Sequence, residues 1–218
     1  MTVGPSGKTA LTEEIDSYRA RRGVFVVLTV PPMRYLMVDG HGDPNTARAY
    51  QEAVSTIYPV AYTLKFASRR ELGHDYVVPP LEGLWWSDDM DTFTDSRDKS
   101  RWTWTLLSLV PQWLTDADVE RARATVAGKG GAPALDRLRV QSLDEGLCVQ
   151  TLHVGPYDDE GPVLRAMHDE FIPGEGLALT GTHHEIYLGD PRRARPDRLR
   201  TILRQPVTRH TIGTRAHS

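Results

Sequence analysis

Cysteine is almost absent from the sequence, with Cys148 as the single example among 218 residues. One thiol cannot form an internal disulfide, and this composition is typical of proteins from a reducing compartment. Long hydrophobic runs are also absent, because the longest, Val24–Val30, stops at two prolines, whereas a membrane helix needs about 20 residues. The first residues contain no apolar core of a secretory signal. We therefore expect a cytoplasmic protein without a membrane partner.

Neither sign of charge dominates, since 26 basic and 29 acidic side chains give a formal net charge of −3. With 39% hydrophobic and 25% charged residues, the composition is that of a soluble globular protein. Arginines cluster after Asp190 without a helix-turn-helix or stacking motif, so we expect a solvated surface and no nucleic-acid partner. Metal-ligand spacings such as HExxH are missing as well. We expect neither a metal nor a cofactor.

The hydrophobic patterns repeat in one order along the chain: a strand, a glycine-containing turn, a helix and two strands. This order predicts an α+β fold of two pseudo-repeated βαββ halves on a mainly antiparallel sheet. The first half comprises Val24–Val30, Met33–Val38, a helical pattern from Ala47 to Leu64 after an N-cap at Asn45, the strand-like stretches Asp75–Pro80 and Leu81–Trp86, the polar connection Ser87–Ser100, and Arg101–Leu109. Pro59 should kink or split the first helix, and a capping box of Thr115 and Asp118 predicts a second helix to about Val126. The second half comprises Asp136–Gln141, Gly146–Val154, a helix from about Glu160 to Phe171, Leu179–Leu188, and a strand near Leu199–Arg204.

These patterns also predict how the chain divides. Residues 1–23 are interpreted as a polar lead-in, 24–207 as a single ligand-binding domain, and 208–218 as a tail. The two halves extend over about 24–127 and 132–207, separated by the flexible sequence GKGG. We expect the halves to form one cooperative unit.

Tryptophan is concentrated in one short part of the chain, and its five copies are Trp85, Trp86, Trp102, Trp104 and Trp113. Large rings commonly fill a core, but five buried indoles need partners for five N–H groups. A pocket for a flat or cationic ligand uses the same rings, through stacking and cation–π attraction. Both interpretations remain open from the sequence.

Two glutamates, Glu82 and Glu185, lie inside strand-like apolar stretches, although glutamate is depleted in strands. Side chains alternate between the faces of a strand, so Glu185 shares a face with His183 and Tyr187, and Glu82 shares one with Trp86. Each acid either faces water on a half-exposed sheet or provides a carboxylate inside an aromatic pocket. In the second case the charge would serve a cation or a water molecule.

Four motifs resemble those of stand-alone GyrI-like small-molecule-binding proteins, and the resemblance extends over about residues 20–207. They are Pro79–Trp86 (PPLEGLWW), Trp102–Trp104 (WTW), His153–Tyr157 (HVGPY) and His183–Arg192 (HHEIYLGDPR). The resemblance implies two βαββ modules that enclose one ligand cavity. It also implies binding of bulky, hydrophobic, often cationic drugs in an aromatic cage with an acid at its floor. Glu185 matches that acid.

A subfamily similar to this chain hydrolyses the cyclopropane ring of cyclopropanoid DNA-alkylating natural products. Whether this chain performs such hydrolysis, or only sequesters or senses drugs, is left open by the motifs, as is the oligomeric state. The candidate catalytic or polar residues are Glu185, Glu82, Tyr157 and His153. The candidate ligand-binding residues are Trp85, Trp86, Trp104, Tyr187 and His183.

Overall fold

The computed structural model describes residues 7–87, 98–189 and 194–209. The predicted polar connection between Ser87 and Ser100 and the predicted tail 208–218 lie largely outside the described residues, as do two arginines of the basic cluster, Arg192 and Arg193. The described part is an α+β fold built on one curled antiparallel sheet, which confirms the predicted fold class.

The sheet contains nine strands within the described residues. They are β1 (Val26–Val30), β2 (Met33–His41), β3 (Glu82–Trp86), β4 (Thr103–Leu109), β5 (Arg139–Leu143), β6 (Gly146–Val154), β7 (Leu177–Leu179), β8 (His183–Tyr187) and β9 (Arg200–Arg209). Their order is β1-β6-β9-β8-β3-β4-β2-β5, and β7 pairs with β9 outside this path. Every pairing between these strands is antiparallel.

The strand order shows how the two halves meet. The second half contributes β6-β9-β8 and the first contributes β3-β4-β2, and the two sets join where β3 pairs with β8. The first strand of each half is exchanged, because β1 pairs with β6 and β5 pairs with β2. Each half therefore completes the sheet of the other.

Five α-helices are described: α1 (Leu11–Glu14), α2 (Arg48–Ala67), α3 (Asp116–Lys129), α4 (Gly161–Arg165) and α5 (Ile172–Gly174). Helix α2 continues as the π-helical segment Ser68–Leu72, and Ala166–Phe171 joins α4 to α5 in the same way. Short 3₁₀ turns lie at Asp16–Tyr18, Lys99–Arg101, Tyr157–Asp159 and Pro196–Arg198. None of the described helices has the length and apolar character needed to cross a membrane.

The helix boundaries test the local signals in the sequence. Helix α3 begins with the predicted capping box, in which Thr115 and Asp118 exchange side-chain and backbone hydrogen bonds. Helix α2 has Ala47 rather than Asn45 at its N-cap, and it continues through Pro59 as one element. The sequence predicts a kink or a split at this proline, and the split does not occur. Pro59 lies on the exposed face, where water can satisfy the carbonyl that lacks a helical partner.

Two strand predictions need correction. The stretch Asp75–Pro80 forms no strand, since only Tyr76 makes a bridge, to Thr9. Its two prolines cannot donate to a ladder. The single strand predicted over Leu179–Leu188 is divided into β7 and β8 by Gly181, which adopts a positive φ of 58°.

The helices and the N-terminal segment cover opposite faces of the sheet. Helices α2 and α3 pack through residues such as Ile57 and Val119 against strand residues such as Leu106. The other face carries a separate core that includes Leu11 and Tyr18 of the N-terminal segment. The layer between α2 and α4, above the central strands β3 and β8, is where a cavity remains.

Candidate functional site

A cavity of about 1010 Å³ lies between α2 and α4, with strands β3 and β8 as its floor. Its volume is at the upper end of the roughly 300–1,000 Å³ that is usual for small-molecule sites. Rings that line it include Tyr50, Trp85, Trp102, Tyr157 and Tyr187. Its charged or titratable lining groups are Lys99, Asp158, Glu160, His183 and Glu185. The aromatic wall with few charges favours a large apolar ligand.

Strand β8 positions three of the predicted side chains together. His183, Glu185 and Tyr187 alternate along the strand, and all three line the cavity. The intervening His184 and Ile186 are fully buried on the other face. The predicted sharing of a face by the three side chains is confirmed.

Gly83 lies opposite Glu185 in the register between β3 and β8. A Cβ atom at this position would lie 2.7 Å from Trp85 Nε1 and 3.1 Å from the Tyr187 hydroxyl. Such distances are too short for ordinary contacts, so the missing side chain allows the two rings to meet over β3. This glycine is therefore part of the shape of the cavity floor.

A short hydrogen-bond chain runs across this floor. Trp85 Nε1 donates to the Tyr187 hydroxyl over 3.0 Å, and that hydroxyl donates to Glu185 Oε2 over 2.8 Å. Burial raises the pKa of Tyr187 well above 10.0, and the neighbouring Glu185 charge raises it further. Tyr187 therefore remains a protonated donor that fixes the orientation of the carboxylate.

The second oxygen of Glu185 lies near a histidine. His183 Nε2 is 3.6 Å from Glu185 Oε1, and the two side chains are only 11% and 14% exposed. Within the described residues, neither ring nitrogen of His183 has a hydrogen-bond partner. The cavity floor therefore presents a held carboxylate beside an imidazole whose hydrogen-bonding capacity is unused.

The rings contact one another and form a continuous wall. Tyr50 stacks on Trp85 at a centroid distance of 6.3 Å and an interplanar angle of 25°. Trp102 meets Trp85 edge-on at 5.6 Å. Tyr157 meets Tyr187 in the same way at 5.5 Å. Offset and edge-to-face arrangements of this kind are the favourable ones for aromatic pairs.

Three predicted residues lie elsewhere for reasons of local packing. Trp104 is completely buried in the core, where its Nε1 donates to the Gly42 carbonyl over 3.1 Å. Its ring occupies the space above Gly40, because a Cβ there would lie 2.0 Å from it. His153 is buried with Nε2 3.0 Å from the Pro156 carbonyl oxygen. Trp86 is half-buried, and none of these three lines the cavity.

Glu82 faces the opposite side of the sheet from Glu185, because its partner in the β3–β8 register is Ile186. It is fully buried and accepts a hydrogen bond from Tyr18. His184 Nε2 lies 2.9 Å from Glu82 Oε2, outside hydrogen-bond geometry, so we describe this contact as an ion pair. The structure thus places Glu82 away from the cavity.

His184 belongs to a buried charge network that joins the two halves. Its Nδ1 lies 3.0 Å from Glu145, whose other oxygen accepts a 2.7 Å hydrogen bond from Arg204. Burial alone would lower the pKa of His184, but the Glu145 and Glu82 carboxylates outweigh it and raise the pKa to about 9. Burial opposes ionisation of Glu145 as well, yet His184 and Arg204 lower its pKa to about 2. Glu145, His184 and Arg204 are therefore charged near neutral pH.

Sequence reasoning missed several cavity residues on the two helices. Tyr50 was recognised only as part of a helical face, and Glu160 only as a helix start. Glu160 is buried at the beginning of α4 and lines the cavity, and its charge contributes to the raised pKa of Tyr187. Lys99 pairs with Asp158 over 2.7 Å and connects the two halves beside the cavity. Among these residues, only Tyr50 could have been identified from the sequence, by its spacing along α2.

The described residues contain no group of three or more histidine, cysteine, aspartate or glutamate side chains arranged to hold a metal ion. What the site can do chemically follows from the aromatic wall and the carboxylate. It can enclose a large apolar ligand, attract positive charge, and offer a base or hydrogen-bond acceptor to a bound water or ligand group.

Comparisons with known proteins agree with this geometry. Residues 25–208 match the model of the GyrI-like small molecule binding domain. An uncharacterized conserved protein from Listeria innocua is 39% identical, with 92% of this chain and 100% of that chain covered at a TM-score of 0.83. A hydrolase from Listeria innocua is 37% identical, with 92% and 100% covered at a TM-score of 0.79.

A more distant structure shares the fold. The C-terminal domain of EcmrR is 11% identical, with 85% of this chain and 98% of that chain covered at a TM-score of 0.52. No curated protein matches the sequence significantly.

Proposed function

Since this chain belongs to the family of GyrI-like small-molecule binding domains, we propose that it binds bulky, hydrophobic xenobiotics, planar or cationic, in the cavity between α2 and α4. The observation that carries the proposal is the Glu185 carboxylate at the floor of an aromatic cavity, held there by Tyr187 over 2.8 Å. Trp85 and Tyr187, both candidates from the sequence, form the adjacent wall.

The charges of the lining support a preference for cations. Lys99 and Asp158 form an ion pair with each other, and the described lining also contains the acids Glu160 and Glu185. Clefts lined by one sign of charge concentrate ligands of the opposite sign. The faces of the indole and phenol rings attract cations as well.

Replacement of the carboxylate tests the proposal. Glu185→Gln keeps size and most hydrogen-bonding capacity but removes the charge. A charge-assisted contact is worth about 1.5–3 kcal/mol, so binding of tetraphenylphosphonium should weaken about ten- to a hundredfold. Binding of the neutral triphenylphosphine oxide should change only a few-fold. Quenching of tryptophan fluorescence reports both affinities, because Trp85 and Trp102 line the cavity.

Glu175→Gln is the matched control, because Glu175 is exposed and lies outside the cavity lining. It should leave both affinities unchanged. Equal losses for the two probes in Glu185→Gln would indicate a structural role of the carboxylate. No loss for either would exclude Glu185 as the acid that recognises the ligand.

A catalytic role is the second candidate, and the likeness to a hydrolase 37% identical over 92% of this chain favours it. We propose that the chain opens the cyclopropane ring of cyclopropanoid DNA-alkylating drugs. Water attacks the strained carbon, the ring C–C bond breaks, and its electron pair moves into the conjugated system, whose carbonyl oxygen takes up a proton. Glu185 accepts the proton of the attacking water, a contribution of about 10²–10⁴-fold. Tyr157, whose ring lies 5.5 Å from that of Tyr187, donates its hydroxyl proton to the carbonyl oxygen, and the proton held by Glu185 then returns to Tyr157 through solvent.

Product counting separates turnover from sequestration. Substrate in large excess over the protein should give many ring-opened, water-added products per protein molecule, measured by mass spectrometry. Glu185→Gln should lower this turnover about 10²–10⁴-fold and retain binding of an uncharged substrate. One product or fewer per protein molecule would contradict hydrolysis and leave a non-catalytic sequestering or sensing module.

A further inference from the structure

Helix α2 carries a stripe of apolar and aromatic side chains at intervals of four residues. The members of this stripe are Tyr50, Val54, Tyr58, Tyr62 and Phe66. Four residues of an α-helix turn through about 400° and rise about 6 Å. Each member is therefore rotated by about 40° from the one before, and the stripe winds around the helix instead of remaining on its buried face.

The inner end of the stripe belongs to the cavity. Tyr50 stacks on Trp85 at the floor, and Val54, Tyr58 and Tyr62 also line the cavity. The rings continue outward in contact, with centroid distances of 6.4 Å between Tyr58 and Tyr62 and 6.3 Å between Tyr62 and Phe66. The stripe thus forms an unbroken apolar path out of the cavity.

The outer end of the stripe is open to solvent in the described part of the chain. Tyr62 is 47% exposed and Phe66 is 52% exposed, and Val77, another lining residue, is 49% exposed. Single exposed hydrophobic residues are common on protein surfaces, whereas adjoining ones mark binding sites. Core packing does not account for rings in this position.

We infer that the stripe is an outer subsite for the far end of an elongated, largely apolar ligand whose aromatic units can turn relative to one another. The near end of the same ligand occupies the floor formed by Trp85 and Tyr187. Tyr50 and Phe66 are sixteen residues apart on α2, which corresponds to about 24 Å along the helix. A compact ligand cannot contact both ends, whereas one with two or more aromatic units linked in a row can. This inference rests on the proposed function of the cavity.

The surroundings favour a ligand over a protein partner. Tyr62 and Val77 belong both to the exposed patch and to the cavity lining, so whatever covers them is continuous with the cavity contents. A stripe one ring wide also suits a narrow small molecule better than an interface of about 800 Å² per partner.

Two probes of different length test the inference: a bis-benzimidazole dye, which is long, and phenylbenzimidazole, which corresponds to its short half. Phe66→Ser and Tyr62→Ser remove the outer rings at exposed positions, where folding should be little affected. Each should weaken binding of the long dye about three- to tenfold, the range for loss of an aromatic contact. Phe66→Ser, at a position outside the cavity lining, should change binding of the short probe less than twofold. Tyr62→Ser should weaken binding of the short probe less than binding of the long dye, because Tyr62 also lines the cavity.

Leu179→Ser is the matched control, since Leu179 is exposed to a similar extent on β7 and lies outside the cavity lining. It should alter neither affinity. Suppose that both probes bind the wild type. If the stripe variants then keep their affinity for both probes, or lose affinity for both equally, the subsite is refuted and the cavity function stands. If neither probe binds the wild type, the cavity function fails together with the subsite. A wild-type dimer that Phe66→Ser dissociates in sedimentation experiments would show instead that a second copy covers the stripe.

Discussion

Loss of the proton on His184 should destabilise the fold as the pH rises from about 6.5 to about 9. His184 is fully buried between Glu82 and Glu145 on the face of β8 that lies opposite the cavity. Its folded pKa of about 9 lies above the value of 6.5 used for an unperturbed histidine. The folded protein therefore holds this proton more tightly than the unfolded chain. The stabilisation is complete below about pH 6.5 and disappears as the pH rises through about 9.

The size of the effect follows from that difference in pKa. At 1.36 kcal/mol for each pH unit, it corresponds to about 3 kcal/mol of the free energy of unfolding. This is a large part of the roughly 5–15 kcal/mol that stabilises an ordinary domain. Exposed ion pairs contribute much less, because solvent screens them.

The assay is urea unfolding at a series of pH values between 6 and 9.5, with wild type and His184→Gln compared. At pH 6.5 the variant should be less stable by about 3–5 kcal/mol, because Glu82 and Glu145 lose a buried partner. The difference in the free energy of unfolding between wild type and variant should become smaller toward pH 9, where His184 of the wild type loses its proton. His41→Gln, at an exposed position, should leave the pH dependence unchanged. If the free energy of unfolding of His184→Gln decreases with pH as steeply as that of the wild type, the stabilisation does not come from His184.

Two further results are expected. Below pH 6.5 the free energy of unfolding should also fall, because burial and the charge of His183 lower the pKa of His168 to about 4. The unfolded chain therefore binds this proton at a higher pH than the folded protein does. Urea unfolding at pH 4.5–6.5 should show a free energy of unfolding that decreases as the pH falls, and His168→Gln should make this decrease smaller. Gly83→Ala should weaken tetraphenylphosphonium binding about tenfold, because the added Cβ separates Trp85 from Tyr187. An unchanged affinity of the folded Gly83→Ala variant would show that this contact is not needed for binding.

Local signals predicted those features that depend on neighbouring residues in the chain. The capping box at Thr115 identified the beginning of α3, because its hydrogen bonds join residues three apart. Strand β6 was predicted with its observed bounds, Gly146–Val154, from a turn glycine and an apolar run. Residues Asp75–Pro80 show the limit of such patterns. The segment has an apolar composition, but two of its residues are prolines without an N–H group, and it forms a cavity wall instead of a strand.

The candidate site divides in the same way. Alternation along a strand is fixed by backbone geometry, so the sequence alone predicts that His183, Glu185 and Tyr187 share one face. That this face lines the cavity, and that Glu82 lies on the other face, depends on the tertiary structure. That choice depends on the pairing of Glu82 with Ile186, and a shift of one residue in the register would exchange the two faces. Such a register is selected by the packing of the whole sheet against its helices, which residues adjacent in sequence do not specify.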